Sequence, residues 1–420
     1  MVINMKFIMV AIGSHGDVYP FLGIGAVLKK RGHTVTVLAN SYFENATNQA
    51  GLDFYSIGSA DEYLDMIGKS GEPDMRRAIC DYLFIRPMKP VFDYCASHYI
   101  KGETVAVCNI SSLGTRLANE KFGLPMISIN LTPMMFMSSY DPPLFSIQEY
   151  PVWVPRWAFS IAIYTAHRVF DRDLCPSLNR LRKEIGLPPQ RRVLGWMLSP
   201  YKVIGLFPEW FAKPQPDWPA QVELTGFPLF DEGHMHNSVL SPELEQFLSG
   251  GDAPIVITPG TTNYKYSSFF EKAVEATSKL GVRAILVSKF QEQIPRNLPA
   301  HVRFFEYLPF SNLLSRTSAV VHHGGIGTLA QILKAGIPQL IAPWGIDQFD
   351  NGARIKALGL GGVISSKRCT AKSLADAIYV LMNSPEVHER CKEISCKINA
   401  SDPIHDTCRI IEAFGKTVST

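Results

Sequence analysis

Twice in this chain a run of apolar residues breaks off in a glycine turn with a helix-like segment behind it: KFIMVAIGSHGD from Lys6, and APIVITPGTTNY from Ala253. Apolar strands with no alternation belong to parallel sheets covered on both faces, and parallel neighbours need a crossover of a dozen residues or more. The rest of the sequence supplies both. TVTVLA, DFYSI, VAVCNI and MISINL alternate with helical stretches in the first half; RAILVS, VRFFEYL, AVVHHGG, QLIAPW and GVIS do so in the second. Between them KPQPDWPAQVELTGFPLFDEG (Lys213–Gly233) is rich in proline and aromatics, and the crossover pattern lapses. A chain of 420 residues exceeds what one core organises. The expectation is an α/β protein of two Rossmann-like, doubly wound domains, 1–215 and 241–400, joined by a linker region at 216–240 and followed by a C-terminal helix at 401–420. In such sheets ligands bind beyond the carboxyl ends of the strands, which predicts a site in a cleft between the domains.

Composition removes several function classes. The net charge is only +3 and the basic residues are dispersed, apart from Lys29, Lys30 and Arg31, so no nucleic-acid footprint is present. The eight cysteines form no CxxC pair and no secretory leader is recognisable, which predicts a reduced, cytoplasmic setting. The longest apolar stretch, VWVPRWAFSIAIYTAHRVF (Val152–Phe170), is interrupted by Pro155, Arg156, His167 and Arg168, so no transmembrane segment is expected.

The sequence VVHHGGIGT (Val320–Thr328) narrows the chemistry further. A strand ending at His322 and His323, with a helix starting near Gly325, leaves backbone N–H groups unpaired where the helix dipole favours an anion. Gly324, Gly325 and Gly327 allow close approach, Thr328 offers a hydroxyl and His323 an imidazole N–H, a set suited to phosphate. The competing reading is a tight turn with core histidines and packing glycines. No Walker loop is present, GGIGT lacks the full GxGxxG spacing, and no GxGxxG with a distal acid follows the first strand, which argues against a dinucleotide oxidoreductase.

The whole stretch HHGGIGTLAQILKAGIPQLIAPWGIDQFDNGARI (His322–Ile355) resembles the donor-binding signature of the GT-B nucleotide-sugar glycosyltransferases, the UDP-glycosyltransferase superfamily (family 1). Within it the bacterial rhamnosyltransferase-like and sterol-glucosyltransferase-like branch is most similar. GSHGDVYPFLGIGAVLKKRGH, LFPEWFAKPQPDWP, TGFPLFD and YLPFSNLLSR extend the resemblance over most of the chain. It implies a UDP- or dTDP-linked sugar such as UDP-glucose as donor. It also implies that His323, Gly325 and Thr328 contact the pyrophosphate, and that Gly260 and Thr261 form a second loop reaching it. Tyr307 and Phe310 fall where the family covers the nucleobase, with core packing as the alternative. Asp347 and Gln348 match the pair on the hydroxyls of the transferred sugar, with Trp344 and Asn351 nearby; Asp347 also suits a helix N-cap. Gln331 stands where many relatives place a carboxylate on the ribose, so recognition of ribose over deoxyribose is weakened. The final helices from Pro385 are expected to cross back to the N-terminal domain.

An inverting transfer needs a base for the acceptor hydroxyl. Asp17 matches the family position and His15 is the substitute, although either could serve the turn and helix start instead. Asp171-Arg172-Asp173 has the form of a metal-binding DxD but lies in an amphipathic helical segment. The expectation is therefore no required metal or cofactor, the histidines and helix end neutralising the leaving group. Apolar inserts at Leu131–Phe145 and from Val152 predict a lipophilic hydroxylated acceptor such as a sterol, lipid or polyphenol. Trp153, Arg156, Trp157 and Arg168 would equally suit a peripheral membrane contact. A UDP-sugar 2-epimerase or a non-catalytic nucleotide-sugar binder is the alternative.

Overall fold

The computed structural model describes residues 4–68, 75–231, 240–261 and 267–419. It divides into two compact units, one comprising Met1–Pro142, Val152–Pro228 and Asp402–Thr420, the other Pro143–Pro151 and Leu229–Ser401.

The first unit carries seven parallel strands: β1 (Lys6–Val10), β2 (Thr34–Ala39), β3 (Asp53–Ser56), β4 (Thr104–Asn109), β5 (Met126–Asn130), β6 (Lys202–Gly205) and β7 (Val222–Leu224), in the order β3-β2-β1-β4-β5-β6-β7. Strand order reverses direction between β1 and β4, so the carboxyl end of β1 lies at a topological switch point. Ile8 and Val10 point into one core with Leu38, Ala106, Cys108 and Met126 beneath Val91, Leu117, Leu174 and Leu178. The other face is covered by the helices His15–Lys30 and Pro403–Ser419. Gly415 of the latter passes over Met5 and Phe7, and Cys408 donates its thiol to the Ile24 carbonyl. Glu412 receives Arg31 at 2.8 Å and lies 3.1 Å from the ring of buried His33. Coverage on both sides is the reason KFIMVAI shows no polar alternation. The segment 216–240, read from sequence as linker, contributes β7 as the edge of this sheet before the division at Pro228.

The second unit repeats the arrangement with six parallel strands: β8 (Ile255–Thr258), β9 (Ala284–Val287), β10 (Val302–Phe305), β11 (Ala319–His322), β12 (Gln339–Ile341) and β13 (Gly361–Val363), in the order β10-β9-β8-β11-β12-β13. Ile255 and Ile257 enter one core while Val256, between them, enters the other. Its switch point falls between β8 and β11, the strands that end at Thr258 and His322.

Candidate functional site

At the end of β11 the two histidines part company. His322 is 1 % exposed; its Nε2 lies 2.9 Å from Gln339 Oε1 and its Nδ1 accepts the Gly324 N–H at 3.2 Å. Both ring nitrogens are thereby engaged inside the protein. His322, expected from sequence at the donor, has its ring placed where it holds the turn. His323 is also buried, but its Nδ1 has no hydrogen-bond partner among the described residues. Burial pushes the two rings down to about 3 and about 4 respectively, so both are neutral at pH 7. A neutral imidazole donates one hydrogen bond and carries no charge, so toward an anion His323 can act only as an N–H donor.

The His323 ring is wedged between two glycines. A Cβ on Gly260 would come 2.6 Å from His323 Nε2, and one on Gly325 would come 3.0 Å from its Cε1. Gly260, at φ +78°, is in the left-handed region as well. Gly325 is the N-cap of the helix Ile326–Ala335, with no side chain to cap it, while Leu329 N already reaches Gly325 O. The amides of Ile326, Gly327 and Thr328 are the first-turn donors that this leaves for an anion. Gly327 is exposed, Thr328 half-buried, and Thr261 half-buried beyond β8; residues 262–266 of that loop lie outside the described residues.

The same turn is tied to the segment Trp344–Asn351. Asn351 Nδ2 donates to Gly324 O at 2.9 Å and to Asp347 Oδ2 at 2.8 Å, and Gln348 Oε1 accepts from Trp344 N at 2.8 Å. Asp347 occupies the N-cap position of the helix Gln348–Ala357 with helical φ/ψ and makes no side-chain cap, so its carboxylate serves Asn351 instead. Ile346 sits at φ +53°, unusual for a β-branched residue, and such strain collects where function over-determines the backbone. Tyr307 is exposed, whereas Phe310 packs against the second core, the packing alternative raised by sequence. Gln331 presents a buried Oε1 with no partner among the described residues.

In the first unit β1 runs through Gly13, at φ +139°, into a helix whose N-cap is Ser14. Asp17 Oδ2 accepts the Ser14 N–H at 2.7 Å and the Ser14 hydroxyl at 3.0 Å, so the carboxylate does engage the helix start. Both bonds fall on Oδ2. Burial raises the Asp17 pKa despite these bonds, the direction that makes a carboxylate a better base near neutrality. His15 lies among rings: stacked on Tyr19, edge-on to Tyr42 and Phe43, with Nδ1 3.1 Å from the Tyr63 hydroxyl.

Sequence reasoning missed two features here. Tyr63 and Tyr82 are pushed well above the usual phenol range by burial, with the Asp17 charge adding to it. Asn109 and Asn130 end β4 and β5; the amide of Asn130 has no partner on either atom among the described residues, and Asn109 donates to Ile12 O. The signal was present, since VAVCN and MISIN are apolar strands that each stop in asparagine. The DxD residues do not fit a metal. Asp171 accepts the Val193 N–H inside the fold and Asp173 is ion-paired with Arg76. Of the two apolar inserts, the first turns Met134 and Phe136 inward, Phe136 stacking on Trp218 at 4.2 Å, and leaves Tyr140 and Phe145 exposed, while the second leaves Trp153 81 % exposed.

Two doubly wound parallel sheets of this kind are the architecture of the GT-B fold, and comparison with known proteins agrees. The chain matches the glycosyltransferase family 28 N-terminal domain over residues 7–89 and the erythromycin biosynthesis protein CIII-like C-terminal domain over 276–410. It is 28 % identical to O-mycaminosyltylonolide 6-deoxyallosyltransferase of Streptomyces fradiae, over 99 % of each chain. It is 26 % identical to sterol 3-beta-glucosyltransferase of Debaryomyces hansenii, over 96 % of this chain but only 26 % of that longer protein. Among solved structures, the glycosyltransferase of kitacinnamycin superposes with a TM-score of 0.76 at 19 % identity, covering 98 % of this chain and 99 % of that one. The glycosyltransferase VinC, in complex with dTDP, does so at 0.69 and 17 %, covering 98 % and 100 %. The chain is a glycosyltransferase, and these matches support its place among the GT-B proteins of the UDP-glycosyltransferase superfamily.

Proposed function

We propose that this glycosyltransferase moves a sugar, with inversion and without a metal ion, from a UDP- or dTDP-linked donor to a hydroxyl of a lipophilic small molecule. The observation that carries the donor half is His323, a neutral ring clamped by Gly260 and Gly325 with an unpartnered Nδ1 beside an uncapped helix end. In this reading Asp17 takes the proton of the acceptor hydroxyl on Oδ1. The acceptor oxygen forms its bond to the anomeric carbon as the bond to the diphosphate oxygen breaks on the opposite face. The electron pair stays on that oxygen, where the His323 N–H, the first-turn amides and the Thr328 hydroxyl receive it. Asp347 and Gln348 hold the transferred sugar. The uncharged Gln331 suits a single sugar hydroxyl as well as a diol, which admits a deoxyribose donor alongside ribose.

The acceptor class rests on the relatives, named for a macrolide and for sterols, and on the apolar first insert. Purified protein is incubated in EDTA with UDP-glucose, UDP-GlcNAc, dTDP-glucose and dTDP-rhamnose against a macrolide aglycone, a sterol and a polyphenol. Nucleotide release and product mass are recorded. Acceptor-dependent release is expected. Donor conversion with no acceptor would favour an epimerase, and loss of release in EDTA would remove the metal-free mechanism.

A further inference from the structure

The helix Arg156–Glu184 is 29 residues long, yet every buried residue in it, from Asp171 to Arg182, lies in its second half. Its first 15 residues extend about 22 Å at 1.5 Å per residue. Their inward side is apolar, Phe159, Ile163 and Ala166 being half-buried and Phe170 packed on the first core. Their outward side is apolar too. Trp157, Ile161 and Tyr164, spaced for one helix face, are 65, 57 and 54 % exposed, and Trp153 and Val152 extend the stripe at the helix start. A helix apolar all round is ordinarily covered on all sides.

The charge around the stripe is of one sign. Residues 152–170 contain Arg156 and Arg168 and no acid, and residues 152–192 hold eight lysines and arginines against three acids in a chain whose net charge is +3. Of those acids, Asp171 is buried beneath Arg168 and Arg192, at 3.6 and 3.9 Å, and Asp173 is ion-paired with Arg76; of the bases, Arg182 is buried on Glu120, which leaves Arg156, Arg172, Arg180, Lys183 and Arg191 to face outward. Arg156 lies 4.3 Å over Tyr140, and Arg192 lies 4.9 Å over Tyr164, so guanidinium groups sit at the level of the exposed rings. Tryptophan and tyrosine with arginine at one depth, and no exposed acid in residues 152–170, match the layer between lipid headgroups and acyl chains, where rings are half-buried and guanidinium groups meet phosphate.

We propose that this helix face docks the protein on an anionic lipid surface. Docking needs no turnover and so stands apart from the transfer reaction. Full-length protein is floated with vesicles of phosphatidylcholine alone and of phosphatidylcholine containing about one third phosphatidylglycerol. Wild type is expected on the anionic vesicles, and to be released by salt. Trp153→Ser with Trp157→Ser should weaken partitioning at least tenfold, and Arg172→Gln with Arg191→Gln roughly fivefold per charge removed. Transfer to a water-soluble acceptor should be unchanged in the tryptophan variant, so failure to dock and failure to transfer are read separately. The proposal is overturned if wild type ignores anionic vesicles or if the tryptophan variant floats as wild type does. It is overturned equally if that variant turns a lipid-free dimer into a monomer, which would assign the face to a second copy of the chain.

Discussion

Asp17→Asn separates chemistry from architecture at one atom. Asparagine keeps an acceptor oxygen where Oδ2 receives Ser14 N–H at 2.7 Å and Ser14 Oγ at 3.0 Å, so the helix start remains satisfied. What is lost is charge assistance, worth about 1 kcal/mol. Against this stands the burial that raises the Asp17 pKa. From the ordinary 3.8 up to its raised value, the folded chain holds a proton that the unfolded chain has released. The carboxylate therefore weakens the fold as pH rises through that window, and the penalty persists at neutral pH. The asparagine variant should melt no lower than wild type at pH 8. Its turnover should fall by roughly 10²–10⁴, the share of a positioned general base, equivalent to about 3–5 kcal/mol of barrier. Donor affinity, followed by calorimetry with UDP-glucose or dTDP-glucose, should not move. Turnover within threefold of wild type would remove Asp17 from the mechanism. A melting point several degrees lower would make it a structural cap.

Gly260→Ala puts a side chain at φ +78° and 2.6 Å from His323 Nε2. It should cost about 1–2 kcal/mol of stability and at least tenfold in donor affinity, and wild-type affinity would show that the ring is not clamped. His322 and His323, lowered to about 3 and about 4, stay neutral in the fold while an unfolded imidazole titrates at 6.5. Their contribution is present above pH 6.5 and lost as pH falls towards 4, at about 1.4 kcal/mol per pH unit for each proton taken up. Urea midpoints between pH 7 and 4.5 should show this slope, shallower by one proton in His322→Gln; an unchanged slope would contradict it. Arg182, 2 % exposed, grips both oxygens of Glu120 at 2.8 Å. Arg182→Ala should destabilise the first unit by about 3 kcal/mol, and a loss below about 1 kcal/mol would mean that the pair is dispensable.

The sheets were legible because both faces of each strand are buried, which writes an unbroken apolar run into KFIMVAI and APIVIT. β7 was not, since a three-residue edge strand carries too little pattern to separate it from a proline-rich connection. The HHGG turn could be placed by its glycines, but not the division of labour inside it. His322 and His323 are adjacent in sequence and differ only in which neighbours they meet, Gln339 for one and two glycines for the other. Asp17 was readable as a residue near a helix start, but sequence placed that start near Pro20 rather than at His15, and the raised pKa depends on burial that no local motif records. Tyr307 and Phe310 are three residues apart in one motif, yet only Phe310 joins the core. The left-handed Ile346 leaves no sequence trace, because nothing in isoleucine favours that conformation.

The most direct test is the affinity for UDP-glucose or dTDP-glucose, measured in EDTA between pH 6.5 and 9 on wild type and on His323→Ala. An uncharged ring donating one hydrogen bond predicts a flat wild-type profile and a loss of about tenfold to a hundredfold in the variant. Wild-type affinity that falls tenfold by pH 8 would demand an imidazolium, and undiminished binding by the alanine variant would show that the phosphates are held elsewhere.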